Sequence, residues 1–226
     1  MAPGTELDFE RDGAQRFRCA LSVSEVAEVL TRLSHLPQDA AGVRLDSAHG
    51  LGDLLSAEGS VCEIAAHVLG KPAWPVRAVM FDKTEANNWG LAWHQDRTVV
   101  VRDRIDTPGY GPWSTKAGLI HVAPPFHVLA GMATLRVHLD GVDDDNAPLL
   151  IAPGSHRLGR VAEADVPRVV ERQGVFNCGA EAGDVWAYAT PILHASKAAV
   201  RPRRRRVLQI DYAAEPLDGA LEWQGL

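Results

Sequence analysis

The sequence has few of the residues that mark special classes of protein. Its 226 residues include only three cysteines, and aromatic residues make up 6% of the chain. Cys19, Cys62 and Cys178 are far apart, odd in number and match no zinc-binding spacing, so we expect reduced thiols in a cytoplasmic protein. No internal repeat and no linker long enough to split the chain is present, which predicts one domain over residues 1–226.

Long hydrophobic runs and an excess of positive charge are also absent. The longest stretch without a charged residue, Ala117–Leu135, contains two histidines and the Pro124–Pro125 pair, so it is a poor membrane span. Glu6, Asp8 and Glu10 interrupt the first residues, which argues against a signal peptide. The formal net charge of −6 argues against nucleic acid or an acidic membrane as the main partner. We therefore expect a small-molecule partner, and the oligomeric state stays open.

Helix signals are present in the first third of the chain. Ser22 and Glu25 have the spacing of a capping box, and apolar residues then recur at helical intervals, which predicts an amphipathic helix over about 23–36. A second serine and glutamate at the same spacing predict a helix over Ser60–Leu69. Gly70 is expected to end that helix.

From residue 76 onward the chain contains short runs rich in β-branched and aromatic residues, separated by turn signals. One helix interrupts them near 163–172. Helices followed by many short strands predict a mainly β (α+β) protein, an antiparallel sandwich or jelly roll with the N-terminal helices packed on one side. We place the helical part at about 20–70 and the jelly-roll core at about 76–213. The predicted strands are Val76–Phe81, Thr98–Val101, Ala133–Leu139, Leu149–Ala152, Val185–Ala189 and Val207–Tyr212.

His94 and Asp96 are the first candidate metal ligands. They are two residues apart, and in a strand such residues face the same side. An imidazole beside a carboxylate supplies two ligands of a 2-His-1-carboxylate triad, which leaves coordination positions open for oxygen chemistry. The pair alone is weak evidence, because His-x-Asp also arises by chance in partly exposed strands. A third ligand must come from a distant part of the chain.

Two later histidines are candidates for that third ligand. His138 alternates with apolar residues on a predicted strand and fits a core histidine whose hydrogen bonds are satisfied. His194 follows an apolar strand and precedes an arginine cluster by about ten residues. A metal site for a dicarboxylate needs a cation at some distance from the metal, and an arginine fork suits that purpose. His194 is therefore the favoured ligand.

These residues together resemble the phytanoyl-CoA dioxygenase family of iron(II)- and 2-oxoglutarate-dependent oxygenases, and in particular a compact bacterial branch. The resemblance extends from about Val76 to Tyr212. Ala147 stands where the family usually has glycine, a difference we expect to be harmless, and Arg136 stands where some relatives have tryptophan. The matching segments are His94-Gln-Asp96, Asn146-Ala-Pro-Leu149, Pro153-Gly-Ser-His-Arg157, Gly183-Asp184 and Leu193-His194-Ala-Ser196.

The resemblance implies a double-stranded β-helix, a cupin-like jelly roll, that binds Fe(II) through His94, Asp96 and His194. It also implies that Arg205, with the hydroxyl of Ser196, holds 2-oxoglutarate, and that O2 is the other co-substrate. Alternation along the following strand lets Arg205 point into the cavity while the arginines on either side of it point outward.

Further residues are candidates for lining the pocket. Lys83 and Arg136 are placed near 2-oxoglutarate, and each also fits an ordinary strand residue. The substrate-contact candidates have equally ordinary alternatives as rim aromatics or solvent-exposed groups. They are Asn88, Trp89, Arg97, Lys116 and His121.

The implied reaction is hydroxylation of an unactivated C–H bond of a small molecule, with release of succinate and CO2. Asp96 supports hydroxylation, or a related desaturation or ring closure, because halogenating relatives have a small residue at that position. Two other interpretations stay open: a non-oxygenase metal enzyme on the same scaffold, and a non-catalytic binding protein. The first would not need Arg205, and the second would be expected to have lost a ligand or the arginine. No feature of the sequence identifies the primary substrate.

Overall fold

The computed structural model describes residues 6–37, 40, 42–45 and 50–226, with only the backbone of Asp53 described. Two short 3-10 helices, Ser155–Leu158 and Glu163–Asp165, accompany the α-helices. The α-helices are α1 (Phe9–Asp12), α2 (Val23–Arg32), α3 (Gly52–Leu55), α4 (Ser60–Leu69), α5 (Phe126–Ala130) and α6 (Val166–Gln173). The strands are β1 (Ala14–Phe17), β2 (Val43–Leu45), β3 (Trp74–Lys83), β4 (Leu91–His94), β5 (Val99–Val101), β6 (Trp113–Lys116), β7 (Leu119–Val122), β8 (Met132–His138), β9 (Leu149–Ile151), β10 (Phe176–Cys178), β11 (Val185–Ala189), β12 (His194–Ser196) and β13 (Arg205–Ala213).

The first predicted helix, α2, has the expected capping box. The Ser22 hydroxyl accepts from the Glu25 backbone N–H, and the Glu25 carboxylate accepts from the Ser22 backbone N–H. The helix ends at Arg32 rather than at residue 36, because Leu33 already has a C-cap conformation and turns follow it. Within the described residues, no helix is both long and apolar enough to cross a membrane.

The second predicted helix, α4, has the predicted bounds but a different N-terminus. Gly59 is the N-cap, and no side chain caps the helix. The expected capping box is therefore wrong, because the extended residue that precedes the helix lies one position before Ser60. Gly70 ends α4 in the left-handed conformation, as predicted. The helix predicted near 163–172 is a 3-10 turn followed by α6.

All named strands pair antiparallel, in three sheets. The six-stranded sheet has the order β1-β11-β8-β13-β3-β2, and the four-stranded sheet has the order β10-β9-β12-β4. A three-stranded sheet, β5-β7-β6, completes the β structure of the described residues. This arrangement is that of the predicted double-stranded β-helix.

The six-stranded sheet has one apolar and one polar face. Alternate residues of its central strands form one buried cluster with the apolar sides of α2 and α4, and each buried aliphatic side chain contributes about 1.5–3 kcal/mol. We call this apolar side of the sheet the outer face. The N-terminal helices α2 and α4 pack on it, as predicted. The residues that alternate with them along the strands project from the opposite side, the inner face. They are Thr134, Arg136 and His138 on β8, and Gln209 and Asp211 on β13. The members of the outer-face cluster include Val26, Val29, Val61, Ile64, Ala78, Met80, Leu135, Val137, Leu208 and Ile210.

Ala147, in the turn before β9, has an unfavourable backbone conformation. Its φ is +53°, in the left-handed region that costs a residue with a Cβ about 1–2 kcal/mol and costs glycine little. Its carbonyl oxygen accepts hydrogen bonds from the side chains of Arg205 and Ser196. The difference from the glycine usual in the family is therefore not harmless, because alanine strains this turn.

Ala147→Gly should raise the free energy of unfolding by about 1 kcal/mol, because glycine adopts a positive φ without a Cβ clash. Chemical denaturation of the purified protein measures the change. Ala27→Gly, at an exposed position inside α2, is the matched control and should lower stability by about 1 kcal/mol. If both variants lose stability, the backbone at Ala147 is not strained.

Candidate metal centre

Strand pairing brings His94 and His194 together. In the antiparallel pairing of β12 with β4, His194 lies directly opposite His94, and the two ring centroids are 4.3 Å apart. Asp96 follows two residues after His94. One possible ligand atom from each of these three residues lies within 4.8 Å of the other two. The three predicted ligands therefore form one cluster that could hold a metal ion.

Both imidazoles are oriented by contacts of Nδ1 with the backbone. His94 Nδ1 lies 2.8 Å from the carbonyl oxygen of Ala92, and His194 Nδ1 lies 3.0 Å from that of Ile192. With Nδ1 donating, Nε2 carries the lone pair that binds a metal. Burial lowers the pKa of His194 to about 4, so its imidazole is neutral near pH 7. Two neutral imidazoles and one carboxylate form a donor set that fits Fe(II).

Gln95, between the two ligands and directly after β4, holds the end of this strand through hydrogen bonds. Its amide donates to the carbonyl oxygens of Gly159 at 3.0 Å and Pro191 at 2.7 Å, and its Oε1 accepts from the Val161 N–H at 2.9 Å. Ser155 acts similarly on the other strand, because its Oγ accepts at 2.9 Å from the backbone N–H that precedes β12. Strands β4 and β12, which carry the two histidines, are thus both hydrogen-bonded to the segment 155–161.

A basic pocket lies at the junction of β13 and β3. Arg205 and Lys83 are direct partners in this pairing. Arg205 and Ser196 both donate to the carbonyl oxygen of Ala147, and Lys83 Nζ lies 3.3 Å from Ser196 Oγ. Three of the four residues predicted to bind 2-oxoglutarate therefore converge on one point.

Alternation along the start of β13 separates its arginines as predicted. Arg205 is 2% exposed, whereas Arg204 and Arg206 form ion pairs on the other face with Asp82 and Asp140. Burial lowers the pKa of Arg205 to about 9, so the guanidinium remains charged at neutral pH.

Lys83 is a second buried cation in the basic pocket. It is 4% exposed, and its Nζ donates to the Trp89 carbonyl oxygen at 2.6 Å and lies 4.7 Å from the centre of the Trp89 ring. Burial, followed by the charges of Arg205 and Arg136, lowers the pKa of Lys83 to about 7. Among the described residues, no carboxylate pairs with either Lys83 or Arg205. The pocket therefore has unmatched positive charge.

Several buried nitrogen atoms around this pocket have no hydrogen-bond partner among the described residues. They are the Nε atoms of Arg205 and Arg136, the Nδ2 of Asn146 and both ring nitrogens of His138. His138 was predicted to have satisfied hydrogen bonds, and that prediction is wrong, because the residue is 1% exposed and neither ring nitrogen has a partner among the described residues. Unpartnered buried donors destabilise a fold. Their concentration here fits a pocket that receives a carboxylate.

A cleft of about 520 Å³ opens beside the metal cluster. Arg97 and Lys116, two of the predicted substrate contacts, line it. Arg97 also donates to the Val161 carbonyl oxygen at 2.7 Å and lies 3.6 Å from Glu163, so it helps to hold the rim. The other lining residues are Trp93, His94, Gln95, Asp96, Thr98, Glu163 and Val166.

The remaining substrate-contact candidates lie elsewhere. His121 is buried on β7, with its Nδ1 3.5 Å from Thr98 Oγ1. Trp89 is beside Lys83 in the basic pocket. Asn88 uses both ends of its amide to bind the Ala199 backbone, at 3.0 and 2.7 Å, so it joins two loops at the pocket rim.

Three inner-face residues near the metal cluster, Tyr188, Gln209 and Asp211, were not among the predicted site residues. The Tyr188 ring centroid is 5.5 Å from that of His194. Gln209 Oε1 accepts from Arg136 at 2.8 Å and lies 3.4 Å from the Tyr188 hydroxyl. A signal was available, because Gln209 and Asp211 alternate with apolar residues in the predicted strand 207–212, as inward-facing polar residues would.

The fold and the His–Asp–His cluster are the features expected of a metal enzyme built on a double-stranded β-helix. The family model of phytanoyl-CoA dioxygenase (PhyH) matches residues 37–207, which is more than half of the chain. The chain belongs to this family and is a 2-oxoglutarate-dependent non-heme iron oxygenase. Membership favours an oxygenase over the two alternative classes considered above. No protein with a curated description matches the sequence significantly.

Solved structures share the fold at low sequence identity. EctD from S. alaskensis has a TM-score of 0.69 and 19% identity, over 93% of this chain and 76% of EctD. AviO1 from Streptomyces viridochromogenes Tue57 has a TM-score of 0.60 and 21% identity, over 92% and 94% of the two chains. SnoN, an α-ketoglutarate-dependent epimerase from nogalamycin biosynthesis, has a TM-score of 0.61 and 18% identity, over 90% and 78%. EctD has also been solved with bound Fe, and with 2-oxoglutarate and 5-hydroxyectoine.

His94→Ala or His194→Ala should weaken Fe(II) binding by more than about 100-fold. Substitution of a residue that only hydrogen-bonds to a metal ligand typically weakens binding by about 10–100-fold. The larger effect is expected because each variant keeps only two of the three ligands. Anaerobic titration with Fe(II) measures the affinity, and circular dichroism checks that the fold persists. His127→Ala, at an exposed site on α5, is the control and should bind iron normally. Normal iron binding by both metal-site variants would mean that other residues are the ligands.

Proposed function

We propose that this enzyme uses Fe(II), 2-oxoglutarate and O2 to hydroxylate an unactivated C–H bond of a small molecule, with release of succinate and CO2. One observation carries the proposal: His194 of the His–Asp–His cluster lies two residues along β12 from Ser196, which borders a buried basic pocket that has unmatched positive charge. The solved relative EctD, which binds Fe and 2-oxoglutarate, supports the same assignment for this chain.

In this proposal His94, Asp96 and His194 hold the iron. When bound, the iron and the keto acid together supply the oxidising power for cleavage of the C–H bond. The protein contributes orientation, because the backbone contacts of both imidazoles and the hydrogen bonds of Gln95 fix the ligands before the metal binds. The three protein ligands leave coordination positions free for the co-substrates.

The distal carboxylate of 2-oxoglutarate is assigned to Arg205, Ser196 and Lys83, with Arg136 beside them. The unpartnered Nε of Arg205 and the hydroxyl of Ser196 offer donors at one point, and charge-assisted hydrogen bonds of this kind are the stronger ones. Holding the far carboxylate also fixes the direction of the keto acid toward the metal cluster. Lys83 adds a positive charge that offsets the loss of hydration of the anion.

The primary substrate is assigned to the cleft beside the metal cluster. Its volume of about 520 Å³ lies in the range typical of small-molecule sites, roughly 300–1,000 Å³. Arg97 and Lys116 at its wall are candidate contacts. The substrate is therefore a small molecule, and the family name does not identify it.

Arg205→Ala should raise the dissociation constant of 2-oxoglutarate by roughly two to four decades, because loss of one partner of a buried ion pair costs about 3–5 kcal/mol. Fe(II) affinity should stay nearly unchanged. Binding is followed anaerobically by the metal-to-ligand charge-transfer band of the iron–keto acid complex.

Arg204→Ala and Arg206→Ala are the matched controls, because they remove the neighbouring arginines that pair with aspartates on the outer face. Each should change 2-oxoglutarate binding by much less than Arg205→Ala. Equal, small effects in all three variants would leave the co-substrate without its proposed anchor.

Binding of 2-oxoglutarate should take up about one proton at about pH 8.5, because Lys83 is mostly neutral above its lowered pKa of about 7 and a bound carboxylate restores its charge. Near pH 6 the uptake should be small, since Lys83 already carries its proton. Calorimetry of Zn(II)-loaded protein in buffers of different ionisation enthalpy measures the proton count. In Lys83→Met the uptake should disappear, and its persistence there would assign the proton to another group.

A further inference from the structure

A second group of unpartnered donors lies on the inner face, at the far end of β3 from Lys83. Among the described residues, the Nε atoms of Arg44 and Arg77 and the Nε2 atom of His121 are buried without a hydrogen-bond partner. Arg77 and Lys83 are six residues apart on β3, which is about 20 Å at roughly 3.3 Å per residue. This group is therefore separate from the basic pocket around Arg205.

Arg44 and Arg77 share one face of the six-stranded sheet. Arg44 lies opposite Val79 in the pairing of β2 with β3, and Arg77 is two residues from Val79 on β3, so all three point to the same side. Val43 and Leu45, on either side of Arg44, pack in the cluster beneath the helices. Their orientation leaves Arg44 facing inward.

His121, the third member of this group, lies on β7 of the three-stranded sheet. It lies opposite Ser114 on β6 and shares a face with Lys116, which lines the metal cleft. His121 is 2% exposed. Burial, and then the charges of Arg77, Lys116 and Arg44, lower the pKa of His121 to about 4. Thr98, whose Oγ1 lies 3.5 Å from His121 Nδ1, lines the metal cleft, so His121 lies beside that cleft.

The nearby carboxylates leave part of this charge unmatched. Arg77 Nη1 donates to Asp211 Oδ2 at 2.9 Å, and the other oxygen of Asp211 accepts from a threonine hydroxyl at 3.0 Å. Asp96 also acts electrostatically on Arg77, but it is assigned to the metal. Neither Arg44 nor Lys116 forms an ion pair with a described carboxylate. The group thus has one guanidinium without a carboxylate partner among the described residues, that of Arg44, whose Nε is buried.

We propose that Arg44, Arg77 and His121 bind a carboxylate group of the primary substrate, so that the enzyme acts on a small acid. This inference rests on the proposed function, because it takes the metal cluster as the place of reaction. Three N–H donors suit the lone pairs of one carboxylate, and the unmatched charge of Arg44 suits one negative charge. An uncharged, apolar substrate would leave all three donors buried without partners.

The test uses a simple carboxylate and its uncharged analogue on the intact protein loaded with Zn(II) and 2-oxoglutarate. Propanoate is titrated while nitrogen NMR follows the imidazole of His121, and propanamide serves as the control ligand. We expect a saturable change in the His121 signal with propanoate, with a dissociation constant of order 1–10 mM. Propanamide should produce no such change.

Two variants, one single and one double, connect the signal to the proposed residues. Arg44→Met, on the edge strand β2, should weaken propanoate binding at least about tenfold. The pair Arg77→Met/Asp211→Asn should do the same, and it removes both members of the ion pair so that no unpaired buried charge remains. Arg204→Met, which removes an arginine from the outer face, is the matched control and should bind propanoate normally.

An unchanged His121 signal, or equal propanoate binding by Arg44→Met and the unaltered protein, would overturn the inference. Displacement of 2-oxoglutarate by propanoate would also overturn it, because the probe would then occupy the pocket of Arg205. Failure of the proposed function is distinguishable, because it would appear as absent binding of Zn(II) or 2-oxoglutarate before any propanoate is added.

Discussion

The antiparallel pairing of β12 with β4 is the constraint on which the candidate metal centre depends. It places His194 opposite His94, and the spacing of two residues brings Asp96 to the same cluster. A slip of one residue in this pairing would turn each side chain of the slipped strand to the other face and separate the histidines. The buried hydrogen bonds of Gln95 and Ser155 oppose such a slip, because both residues bond to backbone groups that are correctly placed in only one register.

The six-stranded sheet separates stability from chemistry by using its two faces differently. On the outer face of β8 and β13, Leu135, Val137, Leu208 and Ile210 pack beneath the helices, and this apolar burial favours folding. On the inner face the same strands carry arginine, histidine, glutamine and aspartate, several with unpartnered atoms. Such groups destabilise the fold when no ligand is bound. Because side chains alternate along a strand, the apolar face can offset that cost without changing the polar one.

Local patterns in the sequence were sufficient for features that depend on residues close together in the chain. The capping box of α2, the proximity of His94 and Asp96, and the inward direction of Arg205 all follow from short-range spacing. Features that depend on distant neighbours were not accessible in this way. The position of Arg44 beside the inner face depends on β2 pairing with β3. The unpartnered ring of His138 depends on which side chains of other strands surround it, and the positive φ of Ala147 depends on a turn whose sequence differs from the family pattern.

The basic side chains of the inner face outnumber its carboxylates, and this imbalance connects binding to stability. Like charges close together raise one another's free energy, which is part of why the pKa of Lys83 is lowered to about 7 and that of Arg205 to about 9, although burial is the larger cause of each shift. A bound anion removes both the repulsion and the unpartnered donors, so the folded protein gains stability as it binds. Apolar residues at these positions would stabilise the empty protein more, yet they would give no favourable contact to a carboxylate. Under the proposed function the inner face is stabilised when anions are bound, and apolar burial on the outer face stabilises the fold in their absence.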